Sequence, residues 1–384
     1  MNPLRTISSL RMRDQPPMDK YVLWVALVLS AVGILAVYSA ISFLAEVKAG
    51  GDTERFLVRH TGRAGLALAA LFVVSRLDYH KLARWARVLL IGSLLLLVLV
   101  RTFGVTYGGA TRAFHLGALS IQPSDLAKIA LVYYLAVLLV NKQAYITNFS
   151  RAVLPLFFWV FITVLLIGIE NLSTASLVLF AVLVMCYVGR VRAKHLGGLI
   201  LASAGLALLL LISSPNRAQR VESYLGVKIF PGTETEEVFN PQAEGYQARQ
   251  AKIAFAMGGL TGRGPGKSVQ RDFLPAPYND FIFAIIAEEY GMLGAMALLA
   301  LFVVLLLRGY LRIARQAPDP LGLFLAVGYT TIIALYGFVH AGVAVGLLPV
   351  TGLPLPFVSY GGTSMLAAGI MLGVLLNISK QIER

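Results

Sequence analysis

A carboxylate stands where a long apolar stretch begins late in the chain. Asp280 follows two prolines, Pro275 and Pro277, and precedes the apolar run 281–307. An aspartate just before a helix can cap free backbone N–H groups. An apolar flank also raises the proton affinity of a carboxylate, as a general base requires. The residues alone leave the helix cap and the catalytic base equally open.

A second group of charged residues opens another apolar run. The motif Gln122-Pro123-Ser124-Asp125-Leu126-Ala127-Lys128 places Asp125 and Lys128 three residues apart, so that they can pair on one face of a helix. A lysine just inside a membrane span is a functional-site hypothesis by default, with a purely structural ion pair as the alternative. Arg112 precedes the same run. Arg offers a bidentate fork and Lys a point charge, and a pyrophosphate needs such cations.

Two further carboxylates, Glu288 and Glu289, lie inside the run 281–307. They fall about 12 Å deeper than Asp280 if the helix is continuous. Carboxylates at that depth are costly unless they are paired or face a cavity. We expect each of them to take part in a structural ion pair inside the bundle.

Nucleotide and zinc sites are disfavoured. Segment 258–268 is rich in glycine, but Thr261 stands where a phosphate-binding P-loop requires Gly, so we predict a flexible, turn-rich connector. The five histidines show no ligand spacing, so a zinc site of the usual type is not expected. A divalent cation remains compatible with pyrophosphate chemistry, although the sequence contains no ligand cluster for one.

The composition requires a membrane to hold these residues. Of 384 residues, 58% are apolar and 14% are charged, which is too few charges to cover a soluble surface. Apolar runs bounded by charges predict an all-α polytopic bundle of about ten transmembrane helices. The runs are 21–43, 62–75, 85–100, 124–140, 152–168, 172–188, 196–212, 281–307, 321–339 and 363–378.

The basic residues orient this bundle. With an even number of spans both termini share a side, and the short loops and tails of that side carry 18 Lys and Arg against 6 in the opposite short loops. Because basic residues collect on the cytoplasmic side, both termini are predicted to be cytoplasmic. Most of the net charge of +14 is then a topology signal spread over several loops, which argues against a nucleic-acid partner.

The chain is predicted to be a single membrane domain, residues 21–384, after a cytoplasmic tail of residues 1–20. Residues 213–280 form a large extracellular loop between helices seven and eight. Within it, 242–257 has helical character with Tyr246, Ile253 and Met257 on one stripe, which fits either a helix on the outer membrane surface or a solvated loop helix. Segment 347–364 is uncharged and rich in Pro and Gly, which predicts a re-entrant or cavity-lining loop.

These segments together resemble the SEDS proteins (shape, elongation, division and sporulation), membrane glycosyltransferases that polymerise peptidoglycan from lipid II. The resemblance covers nearly the whole chain, and its most specific pieces are 122–128, 273–291 and 346–364. The family fold has ten helices, both ends cytoplasmic and a large extracellular loop between helices seven and eight. Residues 37–40 and 266–270 look more like the cell-division branch, FtsW, than the elongation branch, RodA.

The resemblance also implies roles for single residues. The essential aspartate of the family matches Asp280, which favours the catalytic interpretation of this residue. The residues implied to bind substrate or its pyrophosphate are Lys128, Arg112, Arg59, Asp125, Gln122 and Ser359. The chain departs from the family at 275–279, where the Glu and His common beside the aspartate are missing, and at His340, where Asn is common.

The activity implied is polymerisation of lipid II into glycan strands at the outer face of the cytoplasmic membrane, at the division septum. Asp280 would take the proton from the C4 hydroxyl of the acceptor GlcNAc, whose oxygen attacks C1 of the donor MurNAc with inversion and releases undecaprenyl pyrophosphate. The implied partners are lipid II, the nascent strand, a class B penicillin-binding transpeptidase and other division or elongation proteins. An elongation-type polymerase, a lipid II flippase or transporter, and a division scaffold without chemistry remain as alternatives.

Overall fold

The computed structural model describes residues 18–48, 53–107, 110–116, 119–227, 229 and 244–382. This part of the chain is almost entirely helical. Its α-helices are α1 (Lys20–Lys48), α2 (Thr53–Val74), α3 (Tyr79–Ala83), α4 (Ala86–Phe103), α5 (Pro123–Lys142), α6 (Leu154–Glu170), α7 (Leu172–Val188), α8 (Ala193–Ile212), α9 (Pro215–Leu225), α10 (Glu244–Gly258), α11 (Ile282–Leu307), α12 (Pro320–Ala344) and α13 (Thr363–Ser379). Tighter or wider helical turns cover Gln143–Tyr145, Phe149–Val153, Gln270–Asp272 and Arg308–Ala314.

A small antiparallel sheet lies between α4 and α5. Its strands are β1 (Val105–Tyr107), β2 (Ala110–Leu116) and β3 (Leu119–Ile121), in the order β1-β2-β3. The register pairs Val105 with Ala113 and Phe114 with Ile121. β3 therefore delivers the chain directly to the start of α5, where the Gln122 motif lies.

Ten of the helices correspond to the ten apolar runs, which confirms the predicted polytopic membrane fold. Eight spans in the described part of the chain are long and apolar enough to cross a membrane, and α7 and α13, with 17 residues each, are shorter. At Gly369 of α13, a side chain would collide with the backbone of Ala67 in α2. Small residues at such contacts let membrane helices approach closely.

α2 begins at Thr53, whereas the apolar run begins at residue 62. The first turns of the helix carry Glu54, Arg55, Arg59 and Arg63, and these charges conceal the helix from a prediction based on hydropathy. The charged end of α2 thus extends the span rather than forming a separate loop.

The apolar run 281–307 corresponds to α11, but Gly291 interrupts the helix with φ 69° and ψ −172°. The glycine-rich segment 258–264 lies against this break, and the backbone N–H of Met292 donates to the carbonyl of Gly259 at 2.8 Å. A side chain at Gly291 would collide with the backbone of Gly262. The segment predicted to be a flexible connector is instead hydrogen bonded to the broken helix.

The helix predicted within the long segment before α11 is present as α10, and the residues that it buries in the protein lie outside the predicted apolar stripe. Ala251 and Ala254 are 0% exposed, whereas Ile253 and Met257 are 36% and 43% exposed. Gly258 fits against the α11 backbone, where a side chain would collide. Small residues are buried here because they allow the two helices to touch. Residues 230–243 of the predicted loop lie outside the described residues.

The segment between α12 and α13, residues 345–362, is non-helical and is called the central loop below; residues 347 and 348 are exposed, and most of 353–361 is buried. Leu353, Leu355 and Phe357 are at most 2% exposed. Phe357 has φ 64°, a left-handed conformation that is costly for an aromatic residue. A side chain at Gly33 of α1 would lie 2.5 Å from the Phe357 carbonyl oxygen, so α1 and the loop are packed backbone to backbone.

Polar contacts join the elements at the end of the bundle where α1 begins and α11 ends. The Arg308 guanidinium forms an ion pair with Asp19, just before α1. The Tyr79 hydroxyl donates to Asp319, and His80 Nε2 lies 3.1 Å from the same carboxylate. The hydrogen bond with Asp319 raises the pKa of His80 above its ordinary value, more than partial burial lowers it.

Candidate functional site

The approach to α11 holds Asp280 in a defined turn. The backbone N–H groups of Asn279 and Asp280 donate to the Ala276 carbonyl at 3.2 and 3.3 Å. The cap residue of α11 is Phe281, which has no side-chain capping hydrogen bond. The cap position that the sequence left open for Asp280 is therefore occupied by its neighbour.

The Asp280 carboxylate faces the central loop. Its side chain is partly buried, and Oδ2 lies 3.8 Å from the position that a Cβ at Gly352 would take. Gly352 has φ 62°, a backbone conformation that favours glycine. The loop backbone thus approaches the carboxylate closely on one side.

Two hydrogen bonds join the central loop to the residues just before Asp280. The Tyr360 backbone N–H donates to the Tyr278 carbonyl at 2.9 Å. The Ser359 hydroxyl donates to the Asn279 carbonyl at 2.7 Å and accepts from the Leu355 N–H at 2.8 Å. Ser359 is 0% exposed. Its contacts are internal, so its position suits a residue that holds Asp280 in place rather than one that touches substrate.

The other side of the central loop leads to the Gln122 motif. The Gln122 N–H donates to the Thr363 hydroxyl at 3.0 Å, and that hydroxyl donates to Asp125 Oδ2 at 3.0 Å. Lys128 Nζ donates to Asp125 Oδ1 at 2.7 Å and to the Tyr336 hydroxyl at 3.1 Å. The structure thus joins α5, α12 and the start of α13 by one chain of hydrogen bonds.

Lys128 is deeply buried. Its side chain is 2% exposed and that of Asp125 is 6% exposed. A cavity of about 10 Å³ adjoins it, lined by residues that include Tyr336, Pro354 and Pro356. This is room for about one water molecule. A pyrophosphate reaches Lys128 only if the central loop or its neighbours move.

The N-terminal half of α2 packs on a single aromatic side chain of the central loop. The Tyr360 ring stacks with His60 at a centroid distance of 5.6 Å, and the ring of Phe56 lies 6.3 Å away. The guanidinium carbon of Arg63 lies 4.6 Å from the Tyr360 ring centroid. Arg59, which the family resemblance indicated, is exposed one turn before Arg63.

Sequence reasoning missed Arg63 and Tyr360. The available signal was the helical spacing of Phe56, His60 and Arg63, which puts an aromatic, an imidazole and a cation on one face of α2. That pattern does not say which aromatic residue it meets, because Tyr360 lies almost three hundred residues later in the chain.

Arg112 stands in β2, next to the strand that leads into Gln122. Its side chain lies outside the described residues, so the prediction that it binds pyrophosphate remains untested. Within the residues that the structure describes, no group of three or more His, Cys, Asp or Glu side chains is placed to hold a metal ion.

Glu288 and Glu289 have structural contacts. Glu288 is 0% exposed and accepts hydrogen bonds from the Ser268 hydroxyl at 2.6 Å and the Val269 N–H at 2.9 Å, with the Arg263 guanidinium 3.7 Å away. The Ser39 hydroxyl donates to Glu289. The expected ion pair is present at Glu288, but direct hydrogen bonds supply most of the compensation for burial.

His340 adds a second support to the central loop. It is 1% exposed, and its Nδ1 lies 2.8 Å from the Leu353 carbonyl oxygen. Leu353 follows Gly352, which faces Asp280. The histidine that replaces the common asparagine therefore still contacts the loop backbone.

A family model described as "Cell cycle protein", with the name FTSW_RODA_SPOVE, matches residues 19–384. Stage V sporulation protein E of Bacillus subtilis (strain 168) is 38% identical over 366 residues, which cover 94% of this chain and 97% of that protein. A protein named probable peptidoglycan glycosyltransferase FtsW, from Geobacter metallireducens, is 34% identical over 380 residues, 97% of this chain and 98% of that protein.

Solved structures have the same fold. One, titled "Structural coordination of polymerization and crosslinking by a peptidoglycan synthase complex", has a TM-score of 0.74 and 28% identity, and covers 95% of this chain and 98% of that chain. The crystal structure of the rod shape determining protein RodA of Thermus thermophilus has a TM-score of 0.68 and 27% identity, and covers 96% of this chain and 98% of that chain.

Proposed function

The chain belongs to the FtsW, RodA and SpoVE family of cell cycle proteins, and we propose from this premise that it is a peptidoglycan glycosyltransferase that polymerises lipid II. Relatives that match nearly its full length carry the name peptidoglycan glycosyltransferase. The observation that carries the proposal is the position of Asp280. It is a partly buried carboxylate held by a hydrogen-bonded turn, outside the cap position of α11 and against the central loop.

Asp280 is the general base in this proposal. Its carboxylate removes the proton from the C4 hydroxyl of the acceptor GlcNAc, and the oxygen attacks C1 of the donor MurNAc with inversion. The bond from C1 to the pyrophosphate oxygen breaks, and undecaprenyl pyrophosphate leaves. Ser359 and the Tyr360 backbone hold the segment that carries Asp280.

Cations are needed where the pyrophosphate charge develops. Arg59 is exposed on α2, and Arg112 stands in β2 beside the Gln122 motif. Lys128 is paired with Asp125 in the present conformation, so it contributes a cation to the leaving group only when substrate entry separates that pair. Gln122 and Asp125 then act by positioning Lys128 and Thr363.

The basic-residue distribution supports an orientation with both termini in the cytoplasm and Asp280 at the outer face of the cytoplasmic membrane. A relative named FtsW is 34% identical to this chain, whereas the RodA of Thermus thermophilus is 27% identical, which favours action at a septum over the elongation branch. A class B penicillin-binding transpeptidase is the proposed partner, supported by the similarity to a peptidoglycan synthase complex.

The test is polymerisation of labelled lipid II by purified protein in detergent. We expect glycan strands from the wild type and none from Asp280→Asn. Asp272→Asn, which changes another carboxylate of the same segment, is the matched control and should retain activity. A flippase has no two sides to act between in detergent, so wild-type strands argue against that alternative. Activity of Asp280→Asn equal to the wild type would overturn the assignment of the base.

A further inference from the structure

Arg63 is a cation of α2 with no carboxylate partner among the residues that the structure describes. It lies in a membrane span of α2, ten residues after the helix begins, which is about 15 Å along the helix axis. Its side chain is partly exposed, and no carboxylate among the described residues forms an ion pair with it. Charged residues in membrane spans pair, or face a cavity that supplies their partner. The missing counter-charge is therefore expected to come from a ligand.

The Tyr360 ring fixes the orientation of this cation. The guanidinium carbon lies 4.6 Å from the ring centroid, within the range of a cation–π contact. A guanidinium that rests on an aromatic ring keeps its N–H groups at its edge, where they can bind a phosphate by two parallel hydrogen bonds. The contact therefore positions the donors of Arg63 without using them.

Lys128 and Arg59 differ from Arg63 in their exposure and contacts. Lys128 is 2% exposed and already donates to Asp125 and Tyr336. Arg59 lies four residues before Arg63, so both project from the same side of α2 and Arg59 is exposed. Arg59 and Arg63 therefore give this side of the loop a pair of accessible positive charges.

We propose that Arg63, beside the Arg59 that the family resemblance already implies, binds the pyrophosphate of a polyprenyl-linked saccharide. This inference rests on the proposed function and adds to it a residue on the donor side. Tyr360, which carries Arg63 on its ring, is hydrogen bonded through its N–H to the Tyr278 carbonyl, two residues before Asp280. The anion site and the base are thus attached to one loop, which keeps the leaving group at a fixed position relative to the attacking hydroxyl.

The first test separates binding from turnover in polymerisation kinetics with labelled lipid II in nanodiscs. Arg63→Ala should raise KM by about 10- to 100-fold, as expected for a lost hydrogen bond to a charged group, and change kcat much less. The KM of Arg63→Lys should fall between those of the wild type and Arg63→Ala, because lysine keeps the positive charge but lacks the bidentate guanidinium. The control is Arg87→Ala, which removes another arginine near an aromatic ring, 6.0 Å from the centroid of Trp159. Equal losses in Arg63→Ala and Arg87→Ala, or an unchanged KM in Arg63→Ala, would overturn the inference.

The second test does not depend on turnover. Binding of a long-chain polyprenyl pyrophosphate is measured in the Asp280→Asn background, with neutral polyprenol, inorganic pyrophosphate and phosphatidylglycerol as further probes. Arg63→Ala should weaken binding of the polyprenyl pyrophosphate by about 10- to 100-fold and leave polyprenol binding unchanged. If inorganic pyrophosphate competes, the free anion is sufficient for binding; if it does not, the site requires the lipid-linked form. In both cases binding of the polyprenyl pyrophosphate should depend on Arg63.

If Arg63→Ala changes the binding of phosphatidylglycerol alone, the residue contacts bulk lipid and the inference is overturned.

The proposed function and the proposed anion site would fail in different experiments. If the wild type does not polymerise lipid II but binds polyprenyl pyrophosphate through Arg63, the proposed function fails and the anion site stands. If the wild type polymerises and Arg63→Ala behaves like the wild type in both tests, the anion site fails alone. Arg63→Gln provides a second variant if the alanine protein does not fold.

Discussion

Removal of Lys128 should destabilise the protein strongly, because it leaves the buried carboxylate of Asp125 without its cation. The side chains are 2% and 6% exposed, and Lys128 Nζ lies 2.7 Å from Asp125 Oδ1. In Lys128→Met the carboxylate keeps the hydrogen bond from Thr363 and loses the charged partner. Breaking one partner of a buried ion pair costs about 3–5 kcal/mol. We expect Asp125→Asn to cost a similar amount, since it leaves the Lys128 charge with the Tyr336 hydroxyl as its main partner.

The double variant Asp125→Asn with Lys128→Met is expected to be more stable than either single variant. No uncompensated buried charge remains in it, and replacing a buried ion pair by uncharged residues often changes the stability of a protein little. Only the hydrogen bonds to Thr363 and Tyr336 change, at about 1 kcal/mol each. The pair should therefore show a large favourable coupling in a double-mutant cycle.

The assay is reversible unfolding of the four proteins in mixed detergent micelles, with the free energy of unfolding taken from the titration midpoint and slope. Single-variant losses that add to the loss of the double variant within about 0.5 kcal/mol would refute the reasoning, because independent sites add in this way. Lipid II polymerisation by the same proteins is the second readout. A stable double variant without activity would place the charges of the pair in the reaction itself.

Three further outcomes follow from the geometry. Gly291→Ala should prevent accumulation of monodisperse protein in size-exclusion chromatography, because a side chain collides with the Gly262 backbone, whereas Gly205→Ala, with open space around it, should be neutral. Ser359→Ala leaves two buried backbone groups unsatisfied and should cost about 1–3 kcal/mol in unfolding free energy while lowering kcat more than KM changes. Because the pKa of His80 is raised, its protonated form stabilises the fold, fully below pH 6.5 and progressively less as pH rises through the folded pKa; His80→Gln should flatten this decline in melting temperature between pH 6 and 9.

The sequence was sufficient for the kind of fold. Apolar runs of membrane length are a local property, so they predicted the ten membrane helices of the bundle. The apolar run did not predict the early start of α2, because the first turns of this helix carry charges. The break at Gly291 escaped because a single glycine is compatible with a straight helix until another segment, here 258–264, approaches its backbone.

At the candidate site, too, the sequence indicates local features, and contacts between distant segments appear only in the structure. The residue types and spacing at Asp280, Asp125 and Lys128 are enough to indicate a candidate base and an ion pair, because spacing along a helix decides which side chains are neighbours. The attachment of Tyr360 to Arg63, and of Ser359 to the segment before Asp280, depends on residues far apart in the chain. Contacts of that kind are set by how whole helices pack, so only the tertiary structure decides which charges remain available to a ligand.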